Sequence, residues 1–343
     1  MIRRRDLWAA IGIAGVAVLL LTFAIGSMVS LGVHAGHHAL GDAHDDAVAT
    51  TPPDEPFVAA DRVPVLCYHY IRGGGNPLQI VRVFGYVVLS LPLMDDTEIW
   101  RVGRRSFERQ IDYLARRGYR TVSLDDLHEW QMGRRVLPAK SIVITFDDAD
   151  ESVYDYAYPV LQKYGMRATV FVVTSQAGKH WNGIRVLDWD RLREMQRSGV
   201  FEIESHTHDY HYKVGERGNA MPVFAASSDA VAARAGGTGA NPGDALFRDL
   251  ARSRETIERQ IGTSPRYLAW PYGFGNAAVD QVALDAGFSR TLSLRARPNH
   301  RLTGDRFLLS DTERFEIPRY TVTARTSLRT FHEMLDGTYS PAK

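Results

Sequence analysis

Four apolar runs in this chain each end in residues that can carry chemistry, and this repeated arrangement constrains the fold more than any other feature. The runs and the residues that follow them are 63–68 before His69, 141–146 before Asp147 and Asp148, 200–205 before the segment 206–211, and 267–270 before Pro271, Tyr272 and Gly273. In alternating α/β folds the catalytic groups gather at the carboxyl ends of the strands. The four strand ends therefore predict one active site, and the carboxylates and imidazoles among them suit a metal ion.

The composition is that of an ordinary globular protein with enough apolar residues for a core. The chain has 343 residues, of which 45% are hydrophobic and 24% are charged. Its formal net charge of +1 gives no reason to expect a nucleic-acid partner. The single cysteine, Cys67, excludes an intramolecular disulfide, and its place in a predicted strand favours a buried apolar role over a nucleophilic one.

The N-terminal segment predicts a membrane anchor over residues 1–33. Residues 7–33 contain no charged side chain and follow three consecutive arginines at 3–5. At about 1.5 Å per residue, this stretch would form a helix of roughly 40 Å, which is long enough to span a bilayer. The basic flank favours the cytoplasmic side, so we expect a single-pass protein of the cell membrane whose remaining chain is extracytoplasmic, that is periplasmic or extracellular. A cleaved signal peptide is the alternative, although residues 33–36 form a poor cleavage site.

The rest of the chain divides into a linker and one catalytic domain. Residues 34–60 are rich in Ala, His, Asp and Pro without periodicity, which predicts a solvated linker. From residue 61 to 343, about seven strand–helix units follow one another, which favours an α/β fold built as a parallel barrel. Two segments interrupt this alternation. Residues 73–100 form an apolar insertion that either contacts the bilayer or a partner, or folds as a buried hairpin, and residues 213–244 predict a mobile loop.

The adjacent acids Asp147 and Asp148 suit two different tasks. Neighbouring side chains of a strand point to opposite sides, so one acid can bind a metal while the other faces the reacting centre. Close like charges push their pKa values apart, which helps one of them act as a base near neutral pH. The alternative is structural, with one acid serving as the N-cap of a helix.

Three histidines follow the 200–205 run, and two neutral imidazoles with one carboxylate form a common site for zinc or a similar divalent ion. The spacing leaves the pairs His206/His208, His206/His211 and His208/His211 open. A regular strand would place His206 and His211 on opposite faces, whereas a tight loop after the strand could bring them together. Without a metal, the group would be a cluster of partly buried polar histidines.

Taken together, these motifs resemble the polysaccharide deacetylases with a NodB homology domain (carbohydrate esterase family 4), and most closely the branch that deacetylates poly-β-1,6-N-acetylglucosamine. The resemblance extends over roughly residues 63–322 and implies a distorted (β/α) barrel of about seven parallel strands. The position of His69 upstream of Asp147 favours the exopolysaccharide branch. The segments that carry the resemblance are Val-Leu-Cys-Tyr-His at 65–69, Thr-Phe-Asp-Asp at 145–148, Ser-His-Thr-His-Asp-Tyr-His at 205–211, Trp-Pro-Tyr-Gly at 270–273 and Glu-Ile-Pro-Arg at 316–319.

The resemblance also implies a role for each residue of the site. One divalent metal ion is expected, with zinc first and cobalt, nickel or iron suited to the same ligands. The implied roles are metal ligand for Asp148, His206 and His211, general base for Asp147, general acid for His69, oxyanion-hole donor through its backbone N–H for Tyr272, and substrate contact for Trp270 and Tyr272.

The chain departs from the family pattern in several places. Ala149 stands where a glycine usually follows the acid pair, and residues 268–270 offer no arginine to orient the base. Arg266 and Arg319 are the two candidates for that task. His332 is a rival general acid by residue type alone, and its place on an apparent terminal helix favours a structural role.

The resulting prediction is a metal-dependent hydrolase that removes N-acetyl groups from an extracytoplasmic N-acetylglucosamine polymer. A poly-β-1,6-N-acetylglucosamine-type exopolysaccharide of biofilms is the first substrate expected, and peptidoglycan is its rival. Exopolysaccharide synthesis or export machinery would be the protein partners. Two other readings remain open: a non-catalytic glycan-binding barrel, which would have lost a ligand or the base, and a phosphoryl-transfer site at Asp147 and Asp148, which leaves the histidines unexplained.

Overall fold

The computed structural model describes residues 58–73, 100–215, 221–225, 242–302 and 315–341. All of them belong to the unit that runs from Phe57 to Lys343. The anchor expected at 1–33, most of the expected linker and most of the insertion expected at 73–100 lie outside the described residues. None of the helices within these ranges combines the length and the hydropathy that a bilayer crossing requires.

Short strands and helices alternate along the described chain. The strands are β1 (Val65–Tyr68), β2 (Tyr70–Arg72), β3 (Arg101–Gly103), β4 (Arg120–Thr121), β5 (Ser141–Phe146), β6 (Ala168–Val172), β7 (His180–Trp181), β8 (Ile184–Arg185), β9 (Phe201–Ser205), β10 (Lys213–Val214), β11 (Met221–Pro222), β12 (Tyr267–Ala269), β13 (Arg290–Leu292), β14 (Glu316–Ile317) and β15 (Tyr320–Thr321). The α-helices are α1 (Arg104–Arg116), α2 (Leu124–Gln131), α3 (Tyr158–Lys163), α4 (Trp189–Arg197), α5 (Pro242–Ile261), α6 (Ala277–Asp285) and α7 (Leu328–Leu335). A π-helix over Val153–Ala157 precedes α3.

One curled parallel sheet forms the centre of the domain. Its strands follow the order β14-β13-β12-β9-β6-β5-β1-β15, and β4 pairs additionally with β5. The edge strands β14 and β15 are separated in the chain only by Pro318 and Arg319, a step of at most about 11 Å between Ile317 and Tyr320. The sheet must therefore curl until its two edges come close. The α/β class and the parallel curled sheet agree with the sequence, but the sheet has nine strands among the described residues rather than about seven, because strands of two residues leave no periodicity to detect.

Strand alternation divides the core between the two faces of this sheet. Along β5, Ile142, Ile144 and Phe146 pack into a cluster that also contains residues of α1, whereas Val143 packs into a second cluster with residues of α2. Every residue of β5 is buried, as expected for a parallel strand that is covered on both faces. Burial of each such side chain contributes about 1.5–3 kcal/mol. The packing fixes the strand register and thereby the position of the acids that follow Phe146.

Two residues at the end of the predicted linker 34–60 contact the domain. Ala59 forms an isolated bridge with Pro138, and the backbone N–H of Ala60 donates to the carbonyl oxygen of Leu137. The side chain of Ala60 is buried against the second cluster. The chain is thus already part of the domain before Asp61, because a backbone ladder and a methyl contact hold it there.

Candidate active site

The carboxyl ends of β1, β5, β9 and β12 lie around one cavity of about 390 Å³. These are the four strand ends that the sequence singles out, and the parallel sheet places them on the same side. The residues that line the cavity are His69, Tyr70, Trp100, Asp148, Trp181, Asn182, His206, His211, Tyr272 and Leu294.

A sharp turn after β5 separates the two adjacent acids. Asp148 and Ala149 both have left-handed backbone conformations, with φ of 68° and 54°. Such angles cost a non-glycine residue about 1 kcal/mol or more, so the surrounding contacts must hold them. The turn directs Asp148 toward the histidines, while Asp147 stays against Arg319 inside the sheet. The expectation that the two acids serve different partners agrees with this geometry.

Asp148 lies at the centre of a three-residue cluster with His206 and His211. Its Oδ1 atom is 3.5 Å from His206 Nε2 and 3.3 Å from His211 Nε2. Two bonds of 2.0–2.1 Å to a tetrahedral zinc ion would place their ligand atoms about 3.4 Å apart. Asp148 Oδ1 is buried and has no hydrogen-bond donor among the described residues. This otherwise unsatisfied oxygen and the two facing nitrogens fit a divalent metal ion.

Hydrogen bonds and burial set the orientation and the protonation of Asp148 and His206 in this cluster. His206 Nδ1 donates to the carbonyl oxygen of Ala269 at 2.7 Å, which leaves the Nε2 lone pair facing Asp148. Burial lowers the pKa of His206 to about 4, so its imidazole is neutral near pH 7. Although burial opposes ionisation of Asp148, the neighbouring His211 lowers its carboxyl pKa. The ring of His211 packs edge-on against Trp181 and against Tyr272.

The loop after β9 selects His206 and His211 and excludes His208. Thr207 has a φ of 73°, which turns the chain so that His208 leaves the cavity. His208 Nδ1 instead lies 2.8 Å from Thr174 Oγ1. The tight loop considered in the sequence is therefore the one that occurs, and it brings together the ligands implied by the family resemblance.

The carboxylate of Asp249, on α5, stabilises the loop that follows β9. Its two oxygens accept the backbone N–H groups of His208 at 2.9 Å and of Asp209 at 2.8 Å. We expect Asp249→Ala to weaken zinc binding by roughly 10- to 100-fold, because the loop that carries His211 loses both bonds. Competition with a fluorescent chelator measures this affinity. Glu255→Ala, which removes an exposed acid from the same helix, is the matched control, and equal affinity in the two variants would contradict the prediction.

Asp147 forms a fully buried ion pair with Arg319. Two parallel hydrogen bonds join them, from Nη1 to Oδ1 at 2.7 Å and from Nη2 to Oδ2 at 2.8 Å. Burial alone would raise the carboxyl pKa, but the guanidinium charge outweighs it and lowers the pKa of Asp147 to about 2. Arg319 is thus the arginine that orients this acid. The other candidate, Arg266, is half exposed and pairs with Asp125 instead.

His69 faces Asp147 from the end of β1. Its Nε2 atom is 4.0 Å from Asp147 Oδ2, and its ring stacks on Trp100 with the centroids 4.7 Å apart. Burial lowers the pKa of His69, so the free imidazole is neutral near pH 7. Cys67 lies behind it, fully buried, and its Sγ donates to Asp147 Oδ2 at 3.5 Å. Burial raises the pKa of this thiol, which agrees with an inert side chain.

The turn after β12 places Tyr272 in the cavity but not Trp270. Tyr272 has a φ of 60°, and its ring lies 4.6 Å from that of His211. The prediction that Trp270 lines the sugar site is wrong, since its side chain is fully buried and packs against Phe224 and Leu250 on the far side of the strand end. The side chain of an apolar residue at the end of a buried strand packs into the core unless the following turn exposes it.

Three aromatic residues of the cavity were missed by the sequence reasoning. Trp100 follows the apolar insertion, Tyr70 follows His69, and Trp181 lies on the hairpin of β7 and β8. The signal for this hairpin was the pair Asn182-Gly183, both of which have positive φ, as hairpin turns of this kind require. His332 lies half exposed on α7, paired with Asp336 and outside the cavity, as the sequence favoured.

Tyr70 holds the second oxygen of Asp148. Its hydroxyl donates to Asp148 Oδ2 at 2.6 Å from a nearly buried ring. We expect Tyr70→Phe to weaken zinc binding by about tenfold with little loss of fold, because only the hydroxyl is removed. Isothermal titration with zinc measures the change. Tyr154→Phe, which removes a hydroxyl from a surface pair with Glu194, is the control, and unchanged affinity in Tyr70→Phe would refute the role.

Comparisons with known proteins identify relatives of this chain. Residues 134–291 match the family model described as polysaccharide deacetylase. The poly-β-1,6-N-acetyl-D-glucosamine N-deacetylase of Staphylococcus aureus (strain MRSA252) is 26% identical over 278 residues, which cover 79% of this chain and 85% of that protein. Its counterpart from Staphylococcus epidermidis is 28% identical over 228 residues, 65% of this chain and 68% of that protein. Among solved structures, IcaB from Ammonifex degensii superposes with a TM-score of 0.62 at 27% identity, covering 82% of this chain and 98% of that one.

Proposed function

This chain belongs to the polysaccharide deacetylase family, and on that basis we propose that it removes N-acetyl groups from a poly-β-1,6-N-acetylglucosamine-type polymer. The observation that carries the proposal is the pair of acids with opposite partners. Asp148 Oδ1 lies within 3.5 Å of the Nε2 atoms of His206 and His211. Asp147 lies beside it, held ionised by Arg319 and within 4.0 Å of His69. The expected metal ligands and His69 line one cavity, and Asp147 lies directly behind it, beside His69. Relatives named as deacetylases of this polymer support the choice of substrate.

Asp148, His206 and His211 would hold one divalent ion, with zinc as the first expectation. Such an ion would supply Lewis acidity for the acetamide carbonyl and for a bound water. Asp147, already ionised, takes the proton of the attacking water. The backbone N–H of Tyr272 donates to the acetamide oxygen as negative charge develops on it. Asp147 then passes the water proton to His69, whose Nε2 atom lies 4.0 Å from Asp147 Oδ2, and the regenerated carboxylate stabilises the charged imidazole. His69 delivers this proton to the leaving sugar nitrogen, so both groups return to their starting protonation states.

The cavity walls suit a sugar chain. Trp100, Trp181 and Tyr272 present aromatic rings around the metal cluster, and Leu294 adds an apolar contact. Aromatic surfaces with a few placed polar groups are typical of small-molecule and sugar sites. The product polymer would carry free amines and hence positive charge.

We also propose that residues 1–33 anchor the enzyme in the cell membrane with the catalytic domain on the extracytoplasmic side. The support is the uncharged stretch after the arginines at 3–5. Such a location would place the enzyme beside the synthesis or export machinery of the polymer. Protease accessibility of the catalytic domain in whole cells or spheroplasts tests this orientation, and protection of the domain in both would refute it.

The test of the proposed function is amine release from poly-β-1,6-N-acetylglucosamine oligomers by the purified full chain. We expect release with added zinc, loss of release with chelator, and loss in His206→Ala. Release from peptidoglycan fragments but not from the oligomers would move the substrate to the cell wall. Absence of release from both, with metal bound and the fold intact, would contradict the proposal and favour a glycan-binding role.

A further inference from the structure

The buried side chain of Trp270 is fixed by a single acceptor. Its Nε1–H donates to Asp280 Oδ1, on α6, at 2.7 Å, and the hydroxyl of Thr291 donates to the same oxygen at 2.8 Å. Asp280 is fully buried, and its other oxygen has no donor within the part of the chain that the structure describes. Burial of a carboxyl group in an apolar cluster costs free energy, and an apolar pair of residues in place of Asp280 and Trp270 would stabilise the fold equally well. A purely structural role therefore does not account for Asp280.

The residues that follow Trp270 form a strained and closely packed turn. Tyr272 has a left-handed backbone with φ of 60° and ψ of 9°. A Cβ atom on Gly273 would lie 2.5 Å from Leu294 Cβ, and one on Gly275 would lie 2.7 Å from Trp270 Cδ1. The turn is thus packed against Leu294 at Gly273, and the chain that leaves it is packed against the indole ring at Gly275. Any movement of this ring frees space for the turn to relax.

We propose that Asp280 and Trp270 are positioning residues that hold the turn 271–273 in the conformation that presents the Tyr272 backbone N–H to the reacting acetamide. This inference rests on the proposed function. Two backbone hydrogen bonds, each 3.0 Å long, fix Trp270 between the sheet and the turn: Trp270 N–H donates to the Leu292 carbonyl on β13, and Gly273 N–H donates to the Trp270 carbonyl. The proposed link runs from Asp280 through the indole and the Trp270 backbone to the turn, and Asp280 is not among the residues that line the cavity.

The roles proposed for Asp280 and Trp270 predict how three substitutions change the kinetics. Asp280→Leu removes the acceptor and places an apolar side chain in the apolar cluster. We expect kcat to fall by ~10- to 100-fold while KM changes less than about threefold, because only the transition state uses the oxyanion donor. Asp280→Asn keeps an acceptor for the indole N–H and should retain kcat within about threefold. Thr291→Val removes the second donor to the same oxygen and leaves Trp270 bonded, so it is the matched control.

A second measurement needs no substrate. Amide hydrogen exchange of residues 270–275 should become faster in Asp280→Leu and remain at the wild-type rate in Asp280→Asn. Trp270→Phe, which keeps an aromatic ring but lacks the N–H, should shift exchange and kcat in the same direction, and it serves if Asp280→Leu does not fold.

Two outcomes would overturn the inference. One is wild-type exchange and wild-type kcat in a folded Asp280→Leu or Trp270→Phe protein. The other is an equal loss in Asp280→Asn and Asp280→Leu, since the negative charge rather than the acceptor would then matter. If the wild-type chain releases no amine from any acetylated glucosamine polymer, the proposed function fails, and the exchange measurement still decides whether the pair holds the turn.

Discussion

Asp147→Asn is expected to lower kcat for amine release by roughly 10³-fold, which is within the range that a lost general base produces. An asparagine has nearly the shape of the aspartate but cannot take a proton from water. Its Oδ1 can still accept from Arg319, whose guanidinium would otherwise lose both bonds at 2.7 and 2.8 Å. Zinc content should be unchanged, because Asp147 is not among the three residues around Asp148 Oδ1.

The measurement is steady-state amine release with zinc content determined on the same samples. Asp148→Asn is the contrasting variant, since it should lose the metal as well as the activity. Full activity in a folded and metal-loaded Asp147→Asn protein would show that Asp147 is not the base. Loss of zinc in Asp147→Asn would instead assign this residue to the metal site.

Arg319→Met is expected to lower activity by ~10²-fold or more at neutral pH. It should also destabilise the fold by about 3–5 kcal/mol, since it leaves the buried carboxylate of Asp147 without its partner. Without the guanidinium, burial dominates and raises the pKa of Asp147 from its present value of about 2. The acid then becomes protonated at higher pH and cannot act as a base. Activity of the variant should therefore rise with pH over a range in which Asp147 of the wild type is always ionised.

Two further variants separate charge from geometry. Arg319→Lys keeps the positive charge but lacks the planar pair of donors, so we expect an intermediate loss of activity. In the double variant Asp147→Asn with Arg319→Met, the fold should regain part of its stability while activity stays low, because no unpaired charge remains buried. Thermal unfolding and pH–rate profiles check both statements. A wild-type profile in Arg319→Met would refute the role of this arginine.

The same ion pair links stability to pH. The pKa of Asp147 in the folded protein lies below the ordinary value of 3.8. A carboxyl group of this kind adds stability above its unfolded pKa, and that stability is lost as the pH falls from about 4 toward 2. The Arg319→Met protein should lack this part of its acid sensitivity.

Much of the site could be predicted because strands end where their hydrophobic pattern ends. His69, Asp147, Asp148 and the histidine segment all follow runs that a parallel sheet places side by side. The choice among the histidine pairs could not be made in this way, because it depends on the left-handed backbone of Thr207, a residue type with no preference for that conformation.

The remaining errors have a common physical origin in side-chain direction. Whether an arginine at 266 or at 319 reaches the base depends on the strand end at which each one lies. Arg266 precedes β12 and Arg319 follows β14, and strands of two or three residues do not mark their ends clearly in the sequence. The same ambiguity placed Trp270 in the sugar site, although the core holds its ring. The aromatic residues that do line the cavity, Trp100 and Trp181, come from short segments outside the strand ends.

The place of Arg319 in the chain has a consequence for the order in which activity arises. It lies in the two-residue step between β14 and β15, and β15 pairs with β1 at the beginning of the domain. A chain interrupted before Pro318 would keep every expected metal ligand and the base itself, yet lack the cation that keeps this base ionised. Because contacts between distant parts of a chain form late, an unfinished or partly folded protein would hold its metal without hydrolysing anything. Pairing of β15 with β1, which completes the sheet, is then also the folding step that makes the site active.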